Sequence, residues 1–332
     1  MFADLHLHTR FSDGTYSPEE LASEAARHGL RAISLTDHDT VEGVPHMVDA
    51  CGRRGIEFIP GCELTAQARN GAELHILAYH FNSAHPRFLS ELQRYQEVRQ
   101  ERIRQMVARL NELGVGLTAD AVFAIAGCRA PGRPHIARAL VQAGFCTSPD
   151  EAFDRYLKMN RPAWVPKAKM SAADAIALIH EAGGLAVMAH PGLNRSDDVI
   201  GQLAADGLDG IECYHSRHTP ADSDRYRAIA AQHDLLVTGG SDCHGMNKGR
   251  PLIGGVMIPY ELVEKLNQRA RVPRPAPGIP GKDPASPVPG CQAPPGHRHL
   301  GEALTWRSPG EGAEPPIGWR RPQHRLDKRD VG

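Results

Sequence analysis

The chain has 332 residues, of which 41% are hydrophobic, and a formal net charge of −1 at pH 7. This length suits one large α/β domain or two ordinary ones, and the near-neutral charge argues against general attraction to nucleic acid or membrane surfaces. No stretch approaches the roughly 18 apolar residues of a membrane span. The start of the chain lacks the apolar core of a signal peptide. The seven cysteines show no spacing typical of a disulfide framework. We therefore expect a cytoplasmic protein with reduced thiols.

Short apolar runs alternate with amphipathic stretches along residues 1–260. Ser17 precedes Pro18 and Glu20, an arrangement that predicts a capped helix start, and Gly29 ends that helix. The alternation of strands and helices favours a parallel α/β fold. The predicted strands are residues 3–7, 31–36, 56–60, 74–79, 185–189, 208–213 and 235–239.

This alternation breaks over residues 86–169. The stretch "EVRQERIRQMVARLNELG" at 97–114 predicts a long amphipathic helix, and we expect an inserted, mainly helical subdomain that caps the main domain of residues 1–85 and 170–270. The arginine-rich face of that helix is interpreted as solvated surface, with RNA contact as the alternative. Residues 271–332 hold 13 of the 26 prolines and little apolar periodicity, which predicts a disordered tail.

Side chains of His, Asp and Glu end or follow six of the predicted strands, and His75 lies within a seventh. The carboxyl ends of parallel strands form one face of a barrel, where barrel enzymes build their active sites, so these side chains are expected to converge. Imidazoles and carboxylates without thiolates suit Zn²⁺, Mn²⁺ or Fe²⁺, and the set is large enough for two or three ions, as used in phosphoester hydrolysis. The side chains are His6, His8, Asp37, His38, Asp39, Glu63, His75, His190, Glu212, His215, Asp242 and His244.

These motifs, including H-x-H at the first strand, TDHD around His38, AHP around His190 and "GGSDCHG" at 239–245, resemble the polymerase and histidinol phosphatase (PHP) family. The resemblance covers about residues 2–260. It implies a distorted (β/α)7 barrel that holds three divalent ions and hydrolyses phosphoesters. Manganese is the expected metal, with zinc, iron or magnesium as alternatives. The implied ligand sets are His6, His8, Glu63 and Asp242 for one ion, Glu63, His75 and His190 for the second, and Asp13, His38 and His244 for the third.

Within the family, "GRPHIARAL" at 132–140, "FDRYL" at 153–157 and "YHSRHTPADSDRYRAIA" resemble one branch. That branch comprises 3',5'-nucleoside bisphosphate phosphatases, which are also described as 5'→3' exoribonucleases acting on short RNA. The resemblance implies a nucleoside 3',5'-bisphosphate as substrate, with short RNA as an additional candidate. We expect no stable protein partner.

Five residues outside the ligand sets are candidates for binding and catalysis. Arg133, His135 and Lys167 are candidates for holding a second phosphate, because cationic groups suit phosphate oxygens; an ordinary helix that begins with proline is the alternative interpretation of "GRPHIARAL". The candidate catalytic residues are His215, which matches a family histidine that either supports the metal ligands or contacts the leaving group, and Asp39, which flanks His38 together with Asp37.

Two alternative functions share these residues. A histidinol phosphatase would use the same metal ligands on a substrate with a single phosphate. A non-catalytic metal-binding module would bind ions and hydrolyse no phosphoester.

Overall fold

The computed structural model describes residues 1–194, 197–248 and 250–272, so the predicted tail from residue 273 onward lies outside the described residues. The strands are Phe2–Leu7 (β1), Leu30–Leu35 (β2), Glu57–Gln67 (β3), Glu73–Tyr79 (β4), Met170–Ser171 (β5), Leu185–Met188 (β6), Gly210–His215 (β7), Leu236–Gly240 (β8) and Ile258–Pro259 (β9). The α-helices are Pro18–Arg27 (α1), Val44–Gly52 (α2), Pro86–Glu112 (α3), Ala119–Ala126 (α4), Arg133–Gln142 (α5), Pro149–Ala152 (α6), Ala172–Glu181 (α7), Pro191–Asn194 (α8), Ile200–Ala205 (α9), Pro220–Gln232 (α10) and Tyr260–Ala270 (α11). A π-helical turn spans Phe153–Leu157, and 3₁₀ turns span Asp197–Val199 and Gly245–Lys248.

The start of α1 has the capping box that its sequence predicts. The Ser17 side chain accepts a hydrogen bond from the Glu20 backbone N–H (3.2 Å), and the Glu20 carboxylate accepts one from the Ser17 N–H (2.7 Å). Two of the otherwise unpaired N–H groups of the first turn are thereby satisfied.

The sheet is a nearly closed barrel with strand order β8-β7-β6-β4-β3-β2-β1-β9. The segment after β8 returns to β1, where the Asp242 N–H donates to the His6 carbonyl (2.9 Å) and the His8 N–H donates to the Cys243 carbonyl (3.0 Å). These bonds bring the last rim segment beside the first strand. The predicted distorted barrel is confirmed.

The expectation that every main strand is parallel is wrong for β4. This strand pairs antiparallel with both β3 and β6. Strand β3 runs on to Gln67, seven residues beyond the predicted end at 60, so only residues 68–72 separate it from β4. A parallel connection needs a dozen or more residues, and a link of this length makes a hairpin instead.

The segment between β4 and β5 is helical, as the amphipathic pattern predicts. Helix α3 is 27 residues long, and it shares an apolar core with α4 and α5 that includes Ile103, Leu110, Val122, Ile136 and Leu140. This core is separate from the clusters that line the barrel. No helix of the described part of the chain is both long and apolar enough to cross a membrane.

Candidate metal centre and active site

Glu63 lies at the centre of a buried group of imidazoles. Its Oε1 is 2.6 Å from His75 Nδ1 and 3.0 Å from His190 Nε2. Its Oε2 is 3.0 Å from His38 Nδ1 and within 3.4 Å of the Nε2 atoms of His8 and His6. Each oxygen therefore faces its own set of histidines, which is the arrangement of a carboxylate that bridges two ions.

The reversal of β4 explains how His75 reaches this rim. His75 is the third residue of its strand and pairs with Thr65 on β3. Because β4 runs opposite to its neighbours, its amino end lies beside their carboxyl ends. His75 thus joins ligands that follow parallel strands although it comes near the start of its own.

The structure brings all nine predicted metal ligands together. They form four overlapping groups, each with ligand atoms within 4.8 Å of one another. His190 groups with His6 and Glu63, whereas His75 groups with His38 and Glu63, so the grouping differs in part from the ligand sets implied by family resemblance. The groups are His8, Asp13, His38 and His244; His6, Glu63 and His190; His6, His8 and Asp242; and His38, Glu63 and His75.

The unused lone pairs of these residues fit divalent cations. Among the described residues, no hydrogen-bond partner is found for the buried Nε2 atoms of His6 and His8 or for Glu63 Oε2. His6 gives its Nδ1–H to Glu212, and His244 gives its Nδ1–H to the Asp242 carbonyl (2.9 Å), so both rings keep an Nε2 lone pair for a ligand. Buried polar atoms without partners are costly, and a bound cation removes that cost.

The backbone at this rim is strained and closely packed. Asp39, His190 and Asp242 adopt positive φ angles of 48°, 29° and 55°, a conformation that costs non-glycine residues free energy and concentrates at functional sites. A Cβ at Gly240 would lie 2.4 Å from the His6 Cβ. The absence of a side chain at Gly240 therefore lets the end of β8 press against β1 and bring Asp242 to His6.

Electrostatics favour the ionised carboxylates. Burial alone would raise the pKa of Glu63, but the imidazoles around it, led by His38 and His75, hold that pKa well below its usual value. Burial would also raise the pKa of Asp242, but His244 and His215 outweigh this effect and hold that pKa well below its usual value. Both side chains are therefore anionic and ready to bind cations at neutral pH.

Glu212, at the end of a predicted strand, belongs to the expected rim residues, but the sequence predicts neither a ligand set nor a role for it. It is fully buried; its Oε1 accepts from His6 Nδ1 (2.9 Å) and its Oε2 accepts from the His190 backbone N–H (2.7 Å). One carboxylate thus fixes the ring of His6 and the strand end that carries His190. The signal in the sequence was the motif "GIECYH", which places a glutamate on an otherwise apolar strand.

The two aspartates beside His38 serve other elements. Asp37 accepts from the Thr9 N–H (2.7 Å) and the Ser12 hydroxyl (2.6 Å), which holds the loop that carries Asp13. Asp39 Oδ1 accepts from the Thr65 N–H (3.0 Å), and its Oδ2 accepts from the Arg99 guanidinium (2.6 and 2.7 Å). Asp39 therefore ties α3 to the loop of His38.

His215 lies at the edge of the cluster, and its hydrogen bonding defines which ring nitrogen carries the proton. Its Nδ1 accepts a hydrogen bond from the Arg217 N–H (3.1 Å), so the neutral ring carries its proton on Nε2. That Nε2 is 3.5 Å from Asp242 Oδ2. A ring in this tautomer donates a hydrogen bond at Nε2 and does not offer a lone pair there.

A cavity of about 460 Å³ opens beside the cluster, and its lining includes His38 and His75. Arg102, Arg133 and Lys167 also line it, and in the described part of the chain none of the three forms an ion pair with a carboxylate. Desolvation, reinforced by Arg99, lowers the pKa of Lys167 to about 7. The lining also holds the carboxylates Asp13 and Glu73, and Glu73 pairs with Lys169 (2.7 Å), so the cations of the cavity outnumber its carboxylates.

His135 does not line this cavity. It is buried on α5, where its Nδ1 accepts from the Gly132 N–H (2.9 Å). Burial, together with Arg138, lowers its pKa to about 4. A neutral ring that accepts a hydrogen bond in the first turn of a helix is unsuited to binding a phosphate. Of the three predicted phosphate-binding residues, only Arg133 and Lys167 line the cavity.

The PHP domain model matches residues 4–162. A 3',5'-nucleoside bisphosphate phosphatase from Chromobacterium violaceum is 34% identical over 259 residues, which cover 76% of this chain and 90% of the relative. The chain belongs to the PHP family. A 5'-3' exoribonuclease from Haemophilus influenzae is 33% identical, over 73% of this chain and 89% of the relative.

A solved structure from Bifidobacterium adolescentis supports the same conclusion for this PHP protein. That protein, described as a metal-dependent phosphoesterase, superposes with a TM-score of 0.75 at 36% identity, over 80% of this chain and 96% of its own. The relatives are hydrolases, so the chain is a PHP-domain phosphoesterase, and the alternative of a non-catalytic module is not supported.

Proposed function

We propose that this PHP phosphoesterase removes the 3'-phosphate of nucleoside 3',5'-bisphosphates and leaves a nucleoside 5'-monophosphate. The observation that carries the proposal is the cavity in which Arg102, Arg133 and Lys167 lie without carboxylate partners and which also reaches His38 and His75. Such a cavity suits a substrate with two anionic groups, one at the histidine–carboxylate cluster and one at the cations. The Chromobacterium violaceum relative is named for that class of substrate.

The ligand groups are proposed to hold three divalent ions, with manganese as the leading candidate. Such ions supply an activated water and neutralise charge on the phosphoryl oxygens. Glu63 would be shared between ions, because its two oxygens face different histidines. Glu212 holds His6 in the tautomer that leaves Nε2 free for an ion.

His215 is proposed to act on the departing oxygen. In hydrolysis, the attacking water supplies the new oxygen on phosphorus, the bond between phosphorus and the 3'-oxygen breaks, and the departing oxygen takes up the proton that the water releases. The Nε2–H of His215, the ring's only proton while Nδ1 accepts from the Arg217 N–H, would donate a hydrogen bond to that departing oxygen. Asp39 is proposed to act through Arg99 and the His38 loop and not on the substrate itself.

Short 5'-phosphorylated RNA is a second proposed substrate. It shares the 5'-phosphate that the cations would hold, and the Haemophilus influenzae relative is named a 5'-3' exoribonuclease.

The test is phosphate or nucleotide release by the Mn²⁺-loaded protein from three substrates: adenosine 3',5'-bisphosphate, histidinol phosphate and a 5'-phosphorylated dinucleotide. We expect the bisphosphate to have the highest kcat/KM. Hydrolysis of histidinol phosphate without hydrolysis of the bisphosphate would make the chain a histidinol phosphatase and refute the proposal.

A pair of arginine variants sharpens this comparison. Arg133→Ala removes a cation from the cavity and should lower kcat/KM for the bisphosphate far more than for a substrate with one phosphate. Arg129→Ala is the matched control, because Arg129 is exposed and pairs with Glu42 (3.5 Å) outside the cavity. Equal losses on both substrates in Arg133→Ala would contradict the assignment of a second phosphate to these cations.

A further inference from the structure

One wall of the cationic cavity is apolar. This wall is defined by the apolar lining residues Phe153, Met159, Trp164 and Pro166. Met159 is 67% exposed, whereas Val48, Leu113 and Met246 are about half exposed. A contiguous apolar surface that borders a polar site marks a place where a ligand binds.

The backbone of this wall is held by two arginines of α3. Arg102 Nε donates to the Val165 carbonyl (2.8 Å), and the Arg109 guanidinium donates to the Trp164 carbonyl. These contacts use main-chain oxygens and leave the side chains of the wall available to the cavity. The wall is therefore fixed before any ligand arrives.

The charge beside the wall restricts what the ligand is. The Arg133 guanidinium lies 5.8 Å from the Phe153 ring centroid, so a cation and an aromatic surface meet at one place. The ligand must accordingly join a flat apolar group to an anion. A nucleobase that is linked through ribose to phosphate meets both requirements, and the volume of about 460 Å³ accommodates a ligand of that size.

We propose that the wall of Phe153, Met159 and Trp164 stacks against the nucleobase of the substrate. This inference rests on the proposed function and adds to it the group that recognises the base. Stacking uses the π-face that every base possesses, so the wall selects nucleotides over other phosphoesters without selecting strongly among bases.

Binding measurements test the inference without turnover. The metal-loaded full chain is titrated by calorimetry with adenosine 5'-monophosphate and with ribose 5-phosphate, which lacks the base. We expect the nucleotide to bind about 10-fold more tightly or better, and Trp164→Ala to abolish that difference while binding ribose 5-phosphate as the wild type does. Trp164→Phe should restore most of the preference. Leu113→Ala, at an exposed site just past the end of α3, is the control.

The outcomes separate this inference from the proposed function. Equal affinity of the wild type for the two ligands would overturn the stacking proposal even if adenosine 3',5'-bisphosphate is hydrolysed. An equal loss of affinity for both ligands in Trp164→Ala would also overturn it, because the wall would then only support the fold. A preference for the nucleotide that depends on Trp164, together with no hydrolysis of the bisphosphate, would support base stacking on the wall and refute the proposed reaction.

Discussion

Replacing Arg99 by Met should destabilise the protein more than any exposed arginine substitution on the same helix. Arg99 and Asp39 form an ion pair whose side chains are only 8% and 5% exposed, with guanidinium nitrogens at 2.6 and 2.7 Å from Oδ2. Methionine keeps most of the aliphatic volume and removes the charge. Asp39 would remain buried with its Thr65 hydrogen bonds but without its ion-pair partner, and the more distant Lys167 would be the cation that still acts on it.

The magnitude follows from the burial of both groups. Unit charges 4 Å apart attract by about 4 kcal/mol at an effective dielectric constant near 20, and removing one partner of a buried pair costs about 3–5 kcal/mol because the other charge stays buried. We therefore expect Arg99→Met to lower the free energy of unfolding by about 3 kcal/mol or more. The double variant with Asp39→Asn should recover a large part of that loss.

The assay is urea unfolding of the metal-loaded protein, followed by circular dichroism. Arg94→Met is the matched control on α3, because the Arg94–Glu91 pair is exposed and spaced i,i+3, and such pairs contribute about 0–1 kcal/mol. An Arg99→Met variant as stable as Arg94→Met would refute the argument, as would a double variant no more stable than the single one.

Three further predictions concern the site. Glu212→Gln should weaken metal binding by about 10–100-fold, measured by metal titration, because an amide cannot accept from both His6 and the His190 N–H; unchanged affinity would contradict that role. Lys167, with a pKa of about 7, is largely neutral at pH 8, and because an anion stabilises its charged form, binding of adenosine 5'-monophosphate at pH 8 should take up a proton. Calorimetry in buffers of different ionisation enthalpy measures that uptake, which should be absent in Lys167→Met. Equal uptake in both proteins would show that Lys167 is not the group that takes up the proton. Asp13→Ala should lower the metal content by one ion per chain, measured by elemental analysis, and leave the other ions bound. Loss of every ion would show that the ligand groups are not separable.

Local patterns were sufficient to predict the main strands and the ligand types. The H-x-H motif places two imidazoles on one side of β1, because alternate strand residues share a face, and Leu5 and Leu7 take buried positions between them. The capping box of α1 depends on only four consecutive residues, so it too was readable from sequence.

The direction of β4 was not predicted, because it depends on where β3 ends. The predicted strand ends at residue 60, whereas β3 continues to Gln67. The hairpin that results decides on which rim His75 lies, and therefore which histidines share Glu63.

The amino-acid sequence by itself determined the family, the barrel and the identities of the nine candidate ligands, because short motifs at strand ends carry that information locally. Only the tertiary structure decided the partners of those residues. Glu212 meets His6 across 206 positions of chain, and Arg99 meets Asp39 across 60. Hydrogen bonds between distant segments have no periodic signature, since they arise from how the barrel closes and how α3 packs on it.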